Sequence, residues 1–173
     1  MRKVLLILGV FISIVSFAQK NSFAVLNDFM IELPGKWIRT KDYKGSQFGF
    51  ENKKLGGFFT ISIRETQKIE FYKTEFSNYS EFELLNEFFK WDFDYWKENP
   101  KNEVYEVSKN ESNKTIIWKV MPQQVVKSSF NYRLDGIQNG YIISISYINE
   151  KMEEQQKIDL LKNIYSNIKY TKN

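Results

Sequence analysis

Alternation of apolar and polar residues along most of this chain predicts β-strands. Residues 29–33 alternate with a period of two, and Pro34-Gly35 follows them as a type II turn, in which proline fixes φ and glycine supplies a positive φ. Trp37 then begins the next strand. Further strands are predicted at residues 47–52, 58–65, 103–109, 114–121, 128–135 and 141–148, with turn residues between them.

Two segments have helical spacing instead. Ser80 and Glu83 have the spacing of a capping box and open a helix over residues 81–98, which ends before Asn99-Pro100. A second helix is predicted over about residues 150–169. The order is four strands, one long helix, four strands and a terminal helix. Because the connections between strands are short, we expect a mainly antiparallel sheet covered by both helices, which is an α+β fold.

The first eighteen residues have the pattern of a secretory signal. Two basic residues precede an uncharged run over residues 4–15, and the small residues Ser16 and Ala18 stand where a signal peptidase would read them. The alternative is a membrane anchor, but a spanning helix needs about 20 apolar residues. We therefore expect cleavage before Gln19, a periplasmic or secreted protein, and no membrane span in the mature chain.

Composition bounds the mature protein further. The 155 residues left when residues 1–18 are removed from 173 suffice for one domain, which we place at residues 28–171 after a polar lead-in at residues 19–27. The chain has no cysteine, so the core has no disulfide to support it. Its net charge of +4 is spread along the chain, without the basic stripe of a nucleic-acid-binding protein, and we expect no nucleic-acid partner.

The order of elements resembles the PsbP/Mog1-like superfamily, together with the segments IELPGKW (31–37), FGFEN (48–52) and FFTISI (58–63). The resemblance covers residues 28–170 and implies a single α/β/α sandwich. It implies no single activity, because the superfamily includes photosystem accessory subunits, a small-GTPase-binding protein and secretion-associated chaperones. Metal binding proposed for some members relies in part on histidine, which this chain lacks.

The residue types exclude several kinds of chemistry. Without histidine and cysteine the chain cannot form a Ser-His-Asp or Cys-His catalytic site, nor a common zinc or haem site. Neither a P-loop nor a GxGxxG segment is present. We therefore expect no cofactor and no metal. Carboxylate, lysine and tyrosine chemistry remains open.

The segment WDFDYW (91–96) carries the most suggestive carboxylate. At 100° per residue, the apolar side chains of the predicted helix cover about 200° of its surface, and Asp92 falls inside this arc, whereas Asp94 falls on the polar side. A carboxylate there is costly unless it is paired or hydrogen-bonded. In the structural interpretation, Asp92 accepts a hydrogen bond from an indole, a tyrosine hydroxyl or an arginine, the mature candidates being Arg39, Arg64 and Arg133.

In the functional interpretation, Asp92 marks a ligand groove lined by aromatic side chains, namely Phe88, Tyr95 and Trp96. Aromatic residues make up 17% of the chain, and most of them have the spacing of core residues. Residues 68–79 have no clear period. We therefore predict a surface loop there that exposes Phe71, Tyr72 and Tyr79 to a protein partner.

Three functions fit these observations. The leading interpretation is an exported, non-enzymatic binding or accessory domain that engages an envelope protein or a small ligand through a sheet edge or the first helix. The alternative is a hydrolase or lyase that uses Asp, Tyr and Lys; a third is a purely structural subunit. An enzyme should have a deep pocket with convergent polar groups, whereas a binding module should have a shallow aromatic surface. The sequence does not indicate an oligomeric state.

Overall fold

The computed structural model describes residues 21–26, 28–40, 48–69, 76, 78–122 and 130–171. The strands in these ranges are β1 (Ser22–Leu26), β2 (Phe29–Leu33), β3 (Ile38–Thr40), β4 (Phe48–Asn52), β5 (Gly57–Glu65), β6 (Glu103–Asn110), β7 (Thr115–Met121), β8 (Asn131–Gln138), β9 (Tyr141–Ile148) and β10 (Ile168–Tyr170). The helices are α1 (Glu81–Lys97) and α2 (Glu154–Ser166). A short 3₁₀ turn, Thr66–Lys68, follows β5.

The strands form two antiparallel sheets. The larger sheet has the order β3-β4-β5-β9-β8-β7-β6, and the smaller has the order β1-β2-β10. Every strand pair in the described ranges is antiparallel. The prediction of an α+β fold with a mainly antiparallel sheet is therefore confirmed.

The two helices cover opposite faces of the larger sheet. On β7, Ile117 belongs to the core beneath α2, whereas its neighbour Trp118 belongs to the core beneath α1. Successive side chains of a strand point to opposite faces, so this alternation assigns one apolar core to each helix. The small sheet adds its buried residues to the core on the α2 side. The layers are those of an α/β/α sandwich, as the sequence predicted.

The first turn of the domain has the predicted backbone. Gly35 has a φ of 93°, as the second central residue of a type II turn requires. Trp37 does not begin the next strand, which starts at Ile38. Instead, its indole N–H donates to the Pro34 carbonyl at 3.0 Å, and its ring packs against Phe59 with 4.5 Å between centroids. The turn therefore anchors an aromatic side chain in the core.

Two short strands were missed in the sequence. Residues 22–26, expected as part of a polar lead-in, form β1, whose Ala24 lies opposite Ile31 of β2. The second helix ends at Ser166, not near residue 169, and β10 follows it. Strands of three to five residues are too short to establish a period, and these two are stabilised by pairing with β2.

The β8 strand lies further along the chain than predicted. Residues 128 and 129 of the expected strand are outside the described residues, and β8 continues to Gln138. The turn after it is confined to Asn139 and Gly140, which have φ values of 51° and 73°. Gly136, taken as a turn residue, is instead a strand residue on which the ring of Tyr165 packs too closely to admit a Cβ. The absence of a side chain at this position allows α2 to pack closely on β8.

The start of α1 is as predicted. The Ser80 hydroxyl accepts from the Glu83 backbone N–H at 3.3 Å, and the Glu83 carboxylate accepts from the Ser80 N–H at 2.7 Å, which completes a capping box. No helix in the described ranges is long and apolar enough to cross a membrane.

Candidate functional site

An ion pair joins α1 to the sheet at the centre of the candidate site. Asp92 points from α1 towards β8, where Arg133 Nη2 lies 2.6 Å from Asp92 Oδ2. The side chains are 12% and 15% exposed, respectively. Arg133 is one of the three arginines that the structural interpretation named for Asp92. The carboxylate is therefore held by a protein partner and not presented to solvent.

Two indole rings hold the arginine in place. The Arg133 guanidinium carbon lies 4.4 Å from the centroid of Trp118 and 6.0 Å from that of Trp96. A guanidinium over an aromatic face is attracted by the ring quadrupole, most strongly when water is excluded. The ring of Trp96, which was predicted to line a ligand groove, thus lies beside an arginine.

A second carboxylate lies close to the first. Asp135, two residues after Arg133 on β8, is fully buried, and its Oδ2 accepts from the Trp118 indole N–H at 2.6 Å. Within the described part of the chain, Asp135 Oδ1 and Arg133 Nε have no hydrogen-bond partner. Arg133 is therefore paired with Asp92, whereas Asp135 is held by the Trp118 indole.

The electrostatics of the pair are dominated by burial. Desolvation raises the pKa of Asp92 above its ordinary value, and the charge of Asp135 raises it further. The guanidinium of Arg133 opposes this rise most strongly, with smaller opposing contributions from Arg64 and the Trp96 indole. The net rise in pKa marks Asp92 as a carboxylate that folding buries at a cost.

A polar strip of the sheet continues beyond the ion pair. Asp135 lies opposite Ser144 of β9, which in turn lies opposite Ser62 of β5. In the next row the hydroxyls of Thr60 and Ser146 are 2.8 Å apart. This strip is on the α1 face, but α1 packs on β6, β7 and β8 and leaves β9 and β5 to one side. The flank of α1 nearest β9 therefore borders a polar surface.

That flank carries the exposed aromatic residues of the helix. Phe89 and Phe93 contact Trp118 of β7, so they occupy the opposite flank. Trp91 and Tyr95, one turn apart, are 50% and 63% exposed. Helical geometry places this pair on the β9 side. We call Trp91 and Tyr95 the aromatic flank of α1.

The predicted site residues therefore separate into two groups. Phe88 is 2% exposed and belongs to the core, where its ring lies 6.0 Å from that of Trp91. Asp92 and Trp96 form the buried side with Arg133, and Tyr95 is on the surface. Trp91 was not among the predicted site residues, although its position four residues before Tyr95 is a signal that could have placed it there.

Two predicted residues cannot be placed. Phe71 and Tyr72 lie outside the described residues. Tyr79, from the same predicted loop, is 44% exposed and makes an edge-to-face contact with Phe76 at 5.0 Å.

A second cluster of ionisable groups lies on the α2 face. Lys119 Nζ is 3.0 Å from both carboxylate oxygens of Glu154, and it lies 4.9 Å from the ring centroid of Phe130 and 5.6 Å from that of Tyr132. The hydrogen bond from Lys119 lowers the pKa of Glu154. Burial, with Glu154 nearby, raises the pKa of Tyr132 to about 12, and burial lowers the pKa of Lys157. These groups join the first turn of α2 to the sheet.

The carboxylates of the site are not arranged as a set of metal ligands in the described part of the chain. Among the described residues, no three acidic side chains come together as metal ligands. Asp92 Oδ2 accepts a hydrogen bond from Arg133, and Asp135 Oδ2 accepts one from Trp118. These N–H donors would repel a cation placed at the same oxygens.

Comparison with known proteins identifies the type of fold. The sequence matches no protein-family model and no curated protein. The structure, however, is similar to the solution structure of cyanobacterial PsbP (CyanoP) from Synechocystis sp. PCC 6803, with a TM-score of 0.57 over 88% of this chain and 93% of that one. The fold is PsbP-like.

The PsbP-like fold agrees with the resemblance noted in the sequence. At 13% identity to CyanoP, the similarity shows only a shared backbone fold. The site residues described above are therefore argued from their geometry in this structure. A protein from Bacteroides thetaiotaomicron VPI-5482 is also similar, with 12% identity and a TM-score of 0.42 over 84% of this chain. This chain covers 46% of that protein.

Proposed function

We propose that this protein is an exported, non-enzymatic binding domain that engages a protein partner through the aromatic flank of α1. The observation that carries the proposal is the exposure of Trp91 and Tyr95, at 50% and 63%, on neighbouring turns of one helix. Tryptophan and tyrosine are the residues that most often dominate binding energy at protein interfaces. Export rests on the sequence pattern of residues 1–18, which lie outside the described residues.

Both rings of the aromatic flank pack against other aromatic rings of α1, which favours binding. Trp91 packs on the buried ring of Phe88, and Tyr95 makes an edge-to-face contact with Trp96 at 6.2 Å. The Asp92–Arg133 ion pair fixes the same turn of the helix to β8. A partner would therefore meet side chains that already have defined positions, and less conformational entropy is lost on association.

Charge indicates the kind of partner. Residues 81–98, which comprise α1 and its C-cap, contain six acidic and two basic residues, whereas the chain without residues 1–18 has 23 basic and 21 acidic residues. Asp92 is paired with Arg133 and Glu87 with Lys90, whereas Asp94 and Glu98 are exposed near the aromatic flank. We infer a partner with an apolar patch bordered by Lys or Arg, since complementary rims speed association and exclude wrong partners.

A hydrolase or lyase is less well supported at this position. The carboxylates that could act as acid and base, Asp92 and Asp135, are buried against Arg133 and Trp118. A substrate would have to displace the guanidinium before it reached either carboxylate.

Site-specific photocrosslinking in the native cells tests the proposal. We would place p-benzoyl-phenylalanine at position 95 and, as a matched control, at position 105, because Tyr105 is also exposed (48%) but lies on β6. We expect one identified envelope protein to crosslink from position 95 and not from position 105. With purified partner, the variant Trp91→Ser/Tyr95→Ser should weaken binding at least about 100-fold, as expected for two hot-spot residues, and added salt should weaken wild-type binding.

Several outcomes would contradict the proposal. Equal adducts from positions 95 and 105 would indicate random encounters. Binding that survives the double substitution would place the interface elsewhere. A crosslinked partner without basic residues near the adduct would contradict the charge argument.

A further inference from the structure

We infer that the groove between α2 and the β6–β7 hairpin is a binding site for a neutral saccharide. The site is separate from the aromatic flank of α1, because it lies on the opposite face of the larger sheet. Its volume is about 610 Å³, within the range of small-molecule sites. We call it the α2 groove.

The α2 groove has an apolar floor. Ile117 of β7 and Leu134 of β8 form part of it, and both are almost fully buried. The groove exists because α2 packs mainly on β8 and β9 and is therefore offset from β6 and β7 on this face. Tyr165 borders the floor; its hydroxyl donates to the Ile137 carbonyl at 3.3 Å, which fixes its ring beside Gly136.

The helix wall of the groove is polar along its length. Asp159, Lys162, Asn163 and Ser166 all line the groove, and their spacing of three and four residues places them on one side of α2. The adjacent side of the helix is apolar and packs into the core through Ile158, Leu161 and Ile164. A polar side that borders a groove over an apolar floor is suited to a ligand with both polar and apolar surfaces.

The hairpin wall has matching chemistry. Ser108 and Asn110 of β6, Asn113 of the turn and Thr115 of β7 line this wall with hydroxyl and amide groups. Lys109 also borders the groove, but its ammonium points to the other face, 3.1 Å from Glu106 and over the ring of Phe89. The ionic side chains directed into the groove are therefore one acid, Asp159, and one base, Lys162.

This set of groups selects the class of ligand. Hydroxyl and amide side chains both donate and accept hydrogen bonds, as the hydroxyls of a sugar do. The balanced charge gives no preference to anions such as phosphates, which require several cations or a helix N-terminus. The half-buried ring of Tyr165, beside the floor, can accept the C–H face of a sugar ring. A peptide would instead need pockets for apolar anchors, which walls of Asn and Ser do not provide.

Nuclear magnetic resonance can test the site on the intact protein. We would add maltohexaose, cellohexaose, xylohexaose and mannohexaose separately to ¹⁵N-labelled protein and follow the amide shifts, with a heparin hexasaccharide as the charged comparison. We expect at least one neutral hexasaccharide to shift the amides of residues 108–117 and 159–166. The variant Asp159→Ala/Asn163→Ala should weaken that binding at least about tenfold, because it removes two hydrogen-bonding groups from one wall.

Two controls make the result specific. Asn139→Gly removes an exposed side chain at a positive-φ position outside the groove, and it should leave saccharide binding unchanged. Trp91→Ser/Tyr95→Ser should also leave it unchanged, so that failure of this inference and failure of the proposed partner interface are separate results. The inference is overturned if none of the four neutral sugars shifts these amides at millimolar concentration, if the double variant binds as wild type, or if heparin binds more tightly.

Discussion

Arg133 of β8 donates to Asp92 of α1 at 2.6 Å, and this bond connects the long helix to a strand next to the central strand of the larger sheet. The pair is nearly enclosed, and a second carboxylate, Asp135, lies two residues from Arg133. Removal of one partner from a buried pair leaves an uncompensated charge, whereas removal of both does not. The relationship therefore makes an asymmetric prediction about stability.

The first prediction concerns this ion pair. Asp92→Asn should lower the free energy of unfolding by about 3–5 kcal/mol, because Arg133 would remain buried without its carboxylate. Urea denaturation measures the change. Asp94→Asn, an exposed position on the same helix, should change it by less than about 0.5 kcal/mol. The double variant Asp92→Leu/Arg133→Met should be less destabilised than Asp92→Asn. Equal effects of Asp92→Asn and Asp94→Asn would show that the pair is not energetically coupled to folding.

The second prediction concerns the close approach of α2 to β8. A Cβ on Gly136 would collide with the ring of Tyr165, so Gly136→Ala should destabilise the protein by about 1–3 kcal/mol. Combining it with Tyr165→Ala should cost less than the sum of the two single changes, because the smaller side chain removes the collision. Additive effects in urea denaturation would argue against the contact.

The third prediction concerns alkaline pH. The pKa of Tyr132 is raised to about 12, so its protonated form is favoured by folding. Its contribution to stability is fully present below the unfolded-state pKa of about 10 and is lost as the pH rises through about 12. Tyr132→Phe should therefore lose less stability than wild type between these pH values. Tyr95→Phe, which removes an exposed hydroxyl, should follow the wild-type curve, and parallel curves for all three proteins would refute the prediction.

The fourth prediction separates the aromatic flank from the folding core. Trp91→Ser/Tyr95→Ser should lower the unfolding free energy by no more than about 2 kcal/mol, since at least half of each residue is in solvent. Trp118→Ala should cost about 3–5 kcal/mol, because Trp118 is fully buried and donates to Asp135. Thermal and urea unfolding measure both. A strongly destabilised surface variant would mean that the flank is retained for stability and not for a partner.

The fifth prediction concerns maturation. N-terminal sequencing of the protein from its native cells should begin at Gln19, as cleavage after Ala18 requires. Ala18→Arg should block processing because a signal peptidase reads small residues at this position. A native protein that retains residues 1–18 would contradict both cleavage and the proposed export route.

Much of the architecture could be predicted from the sequence. The long strands β5, β7 and β9 and the helix α1 contain enough residues to establish a period, and the Ser80–Glu83 capping box marks the start of α1. The Pro34-Gly35 turn could be assigned because each residue restricts the backbone in a known way. Local patterns of this kind also placed Asp92 in the apolar arc of α1 and led to the expectation of a partner.

Long-range contacts account for what the sequence could not supply. β1 and β10 are stable as strands because both pair with β2, and the residues 168–170 of β10 are far from β2 along the chain. The same applies to the choice of Arg133 over Arg39 and Arg64 as the partner of Asp92, since it depends on how α1 is seated on β8. The α2 groove arises from the offset of α2 across the sheet, which no local pattern encodes.

Periodicity and turn chemistry act between near neighbours, so they determined the fold class, the helix α1 and the candidate residues along it. The order of strands, the separation of Phe88 from Tyr95 into core and surface, and the two faces available to ligands depend on side chains far apart in sequence. These contacts form only when the chain packs, because burial and charge pairing depend on what each residue meets in three dimensions.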